Sequence, residues 1–227
     1  KETFGGQITI TSEVVNYPGI ERTDGKSLTQ VMRKQAENFG AEFSVAEVQD
    51  TDLTDDIKTV KTDKGVFLSF GVLIATGARP RTLGFPGEEK FKGHGVAYCA
   101  TCDGEFFTGK EIFVIGGGFA AAEESVFLTR YAKHVTVLVR EDDFTCAAAV
   151  AEKAKENPKI TVMTNTEVVG VDGGEYPNKI IYKNNKTGKE TTFASKDDAF
   201  GVFVFVGYEP ASELVANAVA TDKYGYI

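Results

Sequence analysis

A glycine-rich turn between an apolar strand and a helix is the feature that most constrains how this chain folds. Gly116-Gly117-Gly118-Phe119-Ala120-Ala121 matches the pattern GxGxxA and directly follows the apolar run Glu111 to Ile115. In dinucleotide-binding folds the first glycine permits a tight turn, the second lets the backbone approach a pyrophosphate, and a small third residue lets the helix pack on the strand. The pattern predicts a βαβ unit with candidate nucleotide contacts at Gly116, Gly118, Phe119, Ala120 and Ala121. The alternative is a tight turn with no ligand.

The segments around this turn predict a parallel sheet in one half of the chain and an antiparallel meander in the other. Strands at 111–115, 135–139 and 160–168 alternate with helices at 120–131 and 147–157, followed by a hairpin of 178–182 with 190–193 and an apolar strand at 199–206. Before them we predict a helix at 27–40, half-exposed strands at 42–48, 57–62 and 65–70, and a strand at 72–75, apolar on both faces and therefore buried. The fold class is α/β.

Two connectors divide the chain. Residues 78–98 are rich in proline and glycine, and Gly207-Tyr208-Glu209-Pro210 forms a second such segment. A domain is therefore predicted between them, at 83–206.

Composition excludes several functional classes. The net charge of −8 disfavours nucleic acid, because the 25 Lys and Arg residues form no basic stripe. No apolar run is long enough to span a membrane. Three cysteines are too few for a secreted disulfide framework, which favours the cytoplasm. Neither end shows a targeting signal, and both look cut, so we expect an internal part of a longer protein.

Cys99-Ala100-Thr101-Cys102-Asp103-Gly104 carries a candidate redox pair. Two cysteines at this spacing can form a disulfide that exchanges electrons with partner thiols. Asp103 follows directly and can move protons to and from a thiolate, although it can also cap the following turn. A zinc site lacks a second ligand pair at metal-ligand spacing, so we predict no metal, and two buried free thiols remain the other alternative.

The residues that would select a nucleotide lie after the second strand of the βαβ unit. Arg140 can face a 2′-phosphate, whereas Glu141 can accept a hydrogen bond from a free ribose 2′-hydroxyl. Three carboxylates follow Arg140 and would repel a phosphate dianion. The alternative is that these acids form a solvated loop.

A redox CxxC just before a GxGxxA unit resembles the low-molecular-weight thioredoxin reductases, and the resemblance covers essentially the whole chain. Residues 4–11 (FGGQITIT) and 13–19 (EVVNYPG) are similar to the FAD-contacting segment of that family. Residues 74–78 (IATGA) are similar to the strand and turn that close the first part of its FAD domain. The resemblance implies FAD contacts at Gly6, Gln7, Asn16, Thr76 and Gly77.

This resemblance implies two Rossmann-like, three-layer ββα domains, one inserted in the other. The FAD domain would comprise 1–82 and 207–227, and the NAD(P)H-binding-type domain would comprise 83–206 and carry the CxxC. The family's own FAD glycine motif is absent from the printed sequence. We therefore expect an incomplete FAD domain and weak or no FAD binding by this chain alone. Family members are usually homodimers.

The family mechanism implies a role for each redox residue. Cys102 would face the flavin, Cys99 would attack the thioredoxin disulfide, and Asp103 would serve as acid and base, while the inserted domain swings about its two connectors. NADPH-using members carry HRRxxxR where this chain has Val139, Arg140, Glu141 and Thr145 in the matching positions, so only Arg140 is retained. The electron donor therefore stays open between NADPH, NADH and ferredoxin.

Two further functional alternatives remain open from the sequence. The same flavin and CxxC could reduce another small redoxin or a peroxidase partner instead of thioredoxin. A nucleotide-binding module could instead use the cysteines as a redox sensor, with no disulfide turnover.

Overall fold

The computed structural model describes residues 4–11, 13–195 and 199–227. Residues 1–3, within the predicted FAD domain, lie outside the described residues, as do residue 12, in the predicted FAD-contacting segment, and residues 196–198, in the predicted inserted domain. The α-helices are α1 (Gly25–Asn38), α2 (Glu88–Phe91), α3 (Ala100–Asp103), α4 (Phe119–Leu128) and α5 (Ala148–Lys155). The strands are β1 (Val48–Asp52), β2 (Lys58–Thr62), β3 (Gly65–Ser69), β4 (Ala78–Pro80), β5 (Val96–Ala97), β6 (Glu111–Ile115), β7 (His134–Leu138), β8 (Ile160–Met163), β9 (Thr166–Gly173), β10 (Pro177–Asn184), β11 (Glu190–Ala194), β12 (Gly201–Val204) and β13 (Tyr208–Pro210). Short 3-10 helices cover Gly6–Ile10, Gly104–Phe107 and Glu213–Val215.

The chain forms two compact units. One consists of Lys1–Arg79 with Glu209–Ile227, and the other is the continuous segment Pro80–Tyr208. We call them the split unit and the continuous unit.

A parallel sheet forms the centre of the continuous unit. Its strand order is β5-β12-β6-β7-β8, with β6 pairing β7 in register from Glu111 with His134 to Ile115 with Leu138. Strand and helix alternate along β6-α4-β7-α5-β8, as the sequence predicts. Because all five strands are parallel, their carboxyl ends share one edge and their amino ends the other.

Both faces of this sheet are covered, which produces three layers. Along β6 the buried side chains alternate: Ile112 and Val114 pack with α4 and α5, while Phe113 and Ile115 pack against Val171 of β9 and neighbouring residues. The second cover is the antiparallel sheet β9-β10-β11. The predicted hairpin is therefore confirmed, and so is the ββα layering. Side chains such as Ile112 are completely buried, and each contributes roughly 1.5–3 kcal/mol.

The split unit contains one amphipathic helix and a small sheet. Helix α1 begins after Asp24, whose carboxylate accepts hydrogen bonds from the backbone N–H and hydroxyl of Ser27. Strands β1, β2 and β3 form an antiparallel sheet in chain order, which confirms the predicted strands at 57–62 and 65–70 and their antiparallel pairing, but not the first strand of the meander. All five residues of β3 are exposed to solvent.

Two strand predictions in the split unit are wrong. Residues 41–47 belong to no strand, and β1 begins only at Val48. Residues 72–75 are neither a strand nor buried, and the side chain of Leu73 is 92% exposed. An apolar run becomes a buried strand only when neighbouring strands and a covering layer are present. Among the described residues, no strand pairs with 72–75.

Other boundaries differ from the predictions by a few residues. The predicted strand 160–168 is two strands, because the turn at Asn165, with φ 52°, separates β8 from β9. The apolar run 199–206 contributes only Gly201–Val204 to the sheet. In the described ranges, none of the helices has the length and apolarity that a membrane crossing requires.

Candidate functional site

The glycine turn lies at the carboxyl end of β6 and leads directly into α4. Gly116 has φ +143°, and a Cβ placed there would lie 2.2 Å from the carbonyl oxygen of Phe205. Gly118 has ordinary backbone angles, and a Cβ on it would meet no atom of the described chain within 4 Å. The two glycines therefore serve different purposes: Gly116 permits the turn itself, and Gly118 leaves open space beside it.

That open space is part of a cavity of about 650 Å³. Its walls include six of the predicted nucleotide contacts: Gly116, Gly118, Phe119, Ala120, Arg140 and Glu141. Ala121 does not line the cavity but is completely buried. A Cβ added at Gly116 would lie 3.1 Å from the methyl group of Ala121, so the two residues pack closely. The Phe119 ring is 53% exposed at the cavity wall.

The amino terminus of α4 faces this cavity. Gly118 is the residue before the helix, and in the described chain no side chain caps it. Backbone N–H groups at a helix start carry partial positive charge and attract phosphate. With the open position at Gly118, they form a cradle that suits a pyrophosphate.

The loop after β7 forms another wall of the cavity. The Nε and Nη2 groups of Arg140 donate to one oxygen of Glu141, at 3.0 and 2.9 Å. Asp142 and Asp143 are fully exposed and pair with Lys186 and Lys155, which hold the pKa values of both carboxyls below their usual range. The acids that the sequence left open as a solvated loop are therefore ion-paired.

The redox motif follows β5 and includes α3, with Cys99 directly before the helix and Cys102 within it. Cys99 and Cys102 form a disulfide, with their Cα atoms 5.4 Å apart. The hydroxyl of Thr101 lies 3.4 Å from Cys99 Sγ and 3.9 Å from Cys102 Sγ, within hydrogen-bonding range of both. Both cysteines are partly exposed, so partner thiols can reach them. Cys146 is a free, half-buried thiol.

Asp103 opens onto a second cavity, of about 780 Å³. The walls include His94, Phe106 and Lys110, and Lys110 directly precedes β6, so this cavity lies at the amino ends of the parallel strands. Burial raises the pKa of the Asp103 carboxyl. A carboxyl that is easier to protonate and opens onto a cavity can exchange protons beside the disulfide.

The predicted FAD contacts lie in the split unit, and all are exposed. The side-chain amide of Gln7 donates to the carbonyl of Ala78, which brings Gly6 and Gln7 close to the turn at Thr76 and Gly77. Gly77 has φ +72°, a conformation that favours glycine. No hydrogen bond within the described chain links Asn16 to this group.

Several site residues were missed by sequence reasoning. Thr145 bonds the carbonyl of Gly117, and Arg81 and Thr166 line the nucleotide cavity. Glu88 is a buried carboxylate near the redox motif. The sequence indicates Thr145 only by its place in the selectivity motif. Arg81 and Thr166 reach the cavity from segments far from the glycine turn in the chain, and Glu88 belongs to no motif. In the described part of the chain, His, Cys, Asp and Glu form no group of three or more that could hold a metal ion.

Comparison with known proteins identifies close relatives. The family model described as pyridine nucleotide-disulphide oxidoreductase matches residues 1–227. The thioredoxin reductase of Peptoclostridium litorale is 45% identical over 226 residues, covering 98% of this chain and 72% of that protein. A crystal structure of Lactococcus lactis thioredoxin reductase, in its FR conformation, matches with a TM-score of 0.80 and 36% identity, covering 98% of this chain and 73% of the other. The T. acidophilum thioredoxin reductase structure matches with a TM-score of 0.77 and 29% identity, over 98% and 72% of the two chains.

Proposed function

We propose, from the premise that this chain belongs to the thioredoxin reductase family of pyridine nucleotide-disulphide oxidoreductases, that Cys99 and Cys102 are its redox pair and that NADH is its preferred electron donor. The enzyme is a flavin-dependent thioredoxin-disulfide reductase. The observation that carries the residue assignment is the Cys99–Cys102 disulfide, with Asp103 directly after it.

The residues present suit the nucleotides that this chemistry needs. The free space at Gly118, in front of the uncapped start of α4, would hold the pyrophosphate of a pyridine dinucleotide. Gln7 and Gly77, joined through the Gln7–Ala78 hydrogen bond, would contact FAD. Bound there, FAD would supply the two-electron transfer between the nicotinamide and the disulfide.

The protein's own residues carry the second half of the reaction. Two electrons and two protons convert the Cys99–Cys102 disulfide to a dithiol. The thiolate of Cys99 attacks one sulfur of the thioredoxin disulfide, so that a mixed disulfide forms and a thioredoxin thiolate leaves. Cys102 then attacks Cys99, which restores the Cys99–Cys102 disulfide and releases reduced thioredoxin. Asp103 takes up and returns protons at the sulfurs.

The preference for NADH rests on Glu141. One oxygen of its carboxylate already accepts hydrogen bonds from Nε and Nη2 of Arg140. The pair is exposed and therefore weak, roughly 0–1 kcal/mol, so a 2′-phosphate can recruit Arg140. Glu141 would then face that dianion at close range and offset the attraction. A free 2′-hydroxyl instead donates to Glu141, as in NAD-binding sites.

Rapid-mixing measurement of flavin reduction tests this preference. The full-length, FAD-loaded enzyme is mixed anaerobically with NADH, NADPH or chemically reduced ferredoxin in separate runs. We expect NADH to bleach the flavin faster than NADPH. We expect Glu141→Gln to lower the NADH-to-NADPH rate ratio about 10-fold, because one charge-assisted hydrogen bond is lost. Glu152→Gln, which removes an exposed charge on α5, is the control.

Each other outcome has a distinct meaning. Faster bleaching by NADPH would overturn the role of Glu141 and indicate that Arg140 dominates. Bleaching by reduced ferredoxin alone would mean that Phe119 blocks the cradle, and would assign the chain to a ferredoxin-linked branch. Turnover with several oxidised redoxins then separates thioredoxin from related partners.

We also propose a cytoplasmic location and a dimeric assembly. The low cysteine count supports the cytoplasm, where thiols stay reduced. The family resemblance supports a homodimer. Light scattering on the full-length enzyme tests the dimer, and a monomeric mass at micromolar concentration would contradict it.

A further inference from the structure

Glu88 is a buried carboxylate that the reaction scheme does not use. It lies at the start of α2, and only 3% of its surface is exposed. A buried carboxylate is costly unless several donors satisfy it. Here the donors come from two separate segments of the continuous unit, which makes Glu88 a bridge between them.

The first of these segments is the turn at Leu83 and Gly84. The backbone N–H of Leu83 donates to both carboxylate oxygens of Glu88, at 3.2 and 3.0 Å, and the N–H of Gly84 donates to one of them. Gly84 has φ +74°. Leu83 also lines the nucleotide cavity. Glu88 therefore holds the backbone in place at Leu83, where the chain lines the nucleotide cavity.

The second segment leads into the redox motif. The phenol of Tyr98 donates to Glu88 at 2.8 Å, and Tyr98 directly precedes Cys99. Burial and the neighbouring Glu88 raise the pKa of Tyr98, so its proton stays available for this bond. Because Cys99 lies between Tyr98 and α3, fixing the Tyr98 side chain restricts where Cys99 Sγ can lie.

We propose that Glu88 is a positioning residue: its carboxylate holds the Leu83–Gly84 turn and the Tyr98–Cys99 segment in one arrangement and so orients the disulfide. This inference rests on the redox role proposed for Cys99. It predicts that removing the hydrogen bond between Tyr98 and Glu88 leaves the position of the disulfide less restricted, while the Leu83–Gly84 turn keeps its structure. It also predicts that removing the carboxylate loosens both.

Two measurements on the full-length, FAD-loaded enzyme test the proposal. The first is hydrogen exchange of the amides of Leu83 and Gly84. The second is the rate at which dithiothreitol reduces the Cys99–Cys102 disulfide under anaerobic conditions, quenched with maleimide and counted by mass. Neither measurement needs thioredoxin or a nicotinamide donor, so both stand if the proposed electron donor or partner is wrong.

Four variants separate the two links. Glu88→Ala should speed amide exchange at least about 10-fold and disulfide reduction about 3- to 10-fold, the effect of losing one to two hydrogen bonds. Tyr98→Phe should speed only disulfide reduction. Glu88→Gln, which can still accept from Leu83 and donate to Tyr98, should behave like the wild type. Glu89→Ala removes an exposed carboxylate from the same helix and should change neither rate.

The Tyr98→Phe variant keeps the test decisive even if Glu88→Ala does not fold. A wild-type rate of disulfide reduction in Tyr98→Phe, with a reducible disulfide present, would overturn the proposal. Unchanged amide exchange at Leu83 and Gly84 in a folded Glu88→Ala would also overturn it. If neither cysteine of Cys99 and Cys102 takes part in turnover but both rates shift as expected, the proposed function fails and the bridge at Glu88 stands.

Discussion

Thr145 holds the carbonyl oxygen of Gly117 with two hydrogen bonds, from its backbone N–H at 2.7 Å and from its hydroxyl at 3.2 Å. Thr145 lies in the loop after β7 and Gly117 lies in the turn after β6. The two bonds therefore fix the middle of the glycine turn from a neighbouring crossover.

We expect Thr145→Val to weaken dinucleotide binding about 2- to 10-fold, because it removes one hydrogen bond worth roughly 0.5–1.5 kcal/mol and loosens the turn. Isothermal titration with NADH measures the change. Thr191→Val, an exposed threonine on β11, is the matched control and should bind as the wild type does. Unchanged affinity in Thr145→Val would show that the backbone bond alone fixes Gly117.

Substitutions at the two glycines should separate folding from binding. Gly116→Ala places a methyl group 2.2 Å from the Phe205 carbonyl at φ +143°, so we expect a lower unfolding temperature and a cost of at least roughly 1–3 kcal/mol. Gly118→Ala should melt as the wild type does, yet its methyl group would fill the pyrophosphate cradle and abolish NADH binding. Thermal unfolding with and without NADH measures both. Normal binding by Gly118→Ala would rule out the cradle.

We expect Asp103→Asn to raise the stability of the protein and to lower its activity. Burial raises its pKa in the folded chain above the unfolded value, so its contribution to stability is complete at low pH and is lost as pH rises through the folded value. Asp103→Asn should therefore be more stable than the wild type at neutral pH, with the difference shrinking in acid. Urea unfolding across pH measures this, and a difference independent of pH would contradict it.

The same variant should lose activity, because an amide cannot carry a proton to or from the sulfurs. We expect thioredoxin reduction to slow by about 10²–10⁴-fold, the range for removal of a general acid or base. A pH–rate profile is the appropriate measurement. If Asp103→Asn turned over normally with an unaltered profile, the proton would have to pass through another group.

Trapping experiments distinguish the roles of the two cysteines. The substrate is thioredoxin whose resolving cysteine is replaced by serine and whose remaining cysteine is joined to thionitrobenzoate by a disulfide. A reductase thiolate that attacks this cysteine's sulfur expels the thionitrobenzoate thiolate, and the mixed disulfide that forms has no second thioredoxin thiol to break it. If Cys99 attacks, Cys102→Ser should accumulate a covalent complex with this thioredoxin, whereas Cys99→Ser should not, and mass spectrometry under non-reducing conditions detects it. Steady-state turnover should vanish in both variants. Accumulation in Cys99→Ser alone would reverse the roles, and turnover by Cys99→Ser would favour another function for the pair.

The sequence by itself determined the elements whose information is local. The run before Gly116 is apolar at every interior position, which requires cover on both faces, and the structure provides it with α4 on one side and β9–β11 on the other. The hairpin of β10 and β11 follows from alternation and a turn. The family follows from the spacing of two short motifs. Each of these signals lies within one short, continuous stretch of chain.

Only the tertiary structure decided which neighbours each residue has. The run at 72–75 has the composition of a buried strand, but nothing pairs with it in the described chain and Leu73 is exposed. The sequence left open whether Glu141 is a solvated acid or a ribose contact, and in the structure its carboxylate accepts from Arg140. Glu88 belongs to no sequence pattern, and in the structure its carboxylate bonds both the Leu83–Gly84 turn and Tyr98. Burial and hydrogen bonding depend on which segments are in contact in the folded protein. The periodicity of residues along the chain does not specify those contacts.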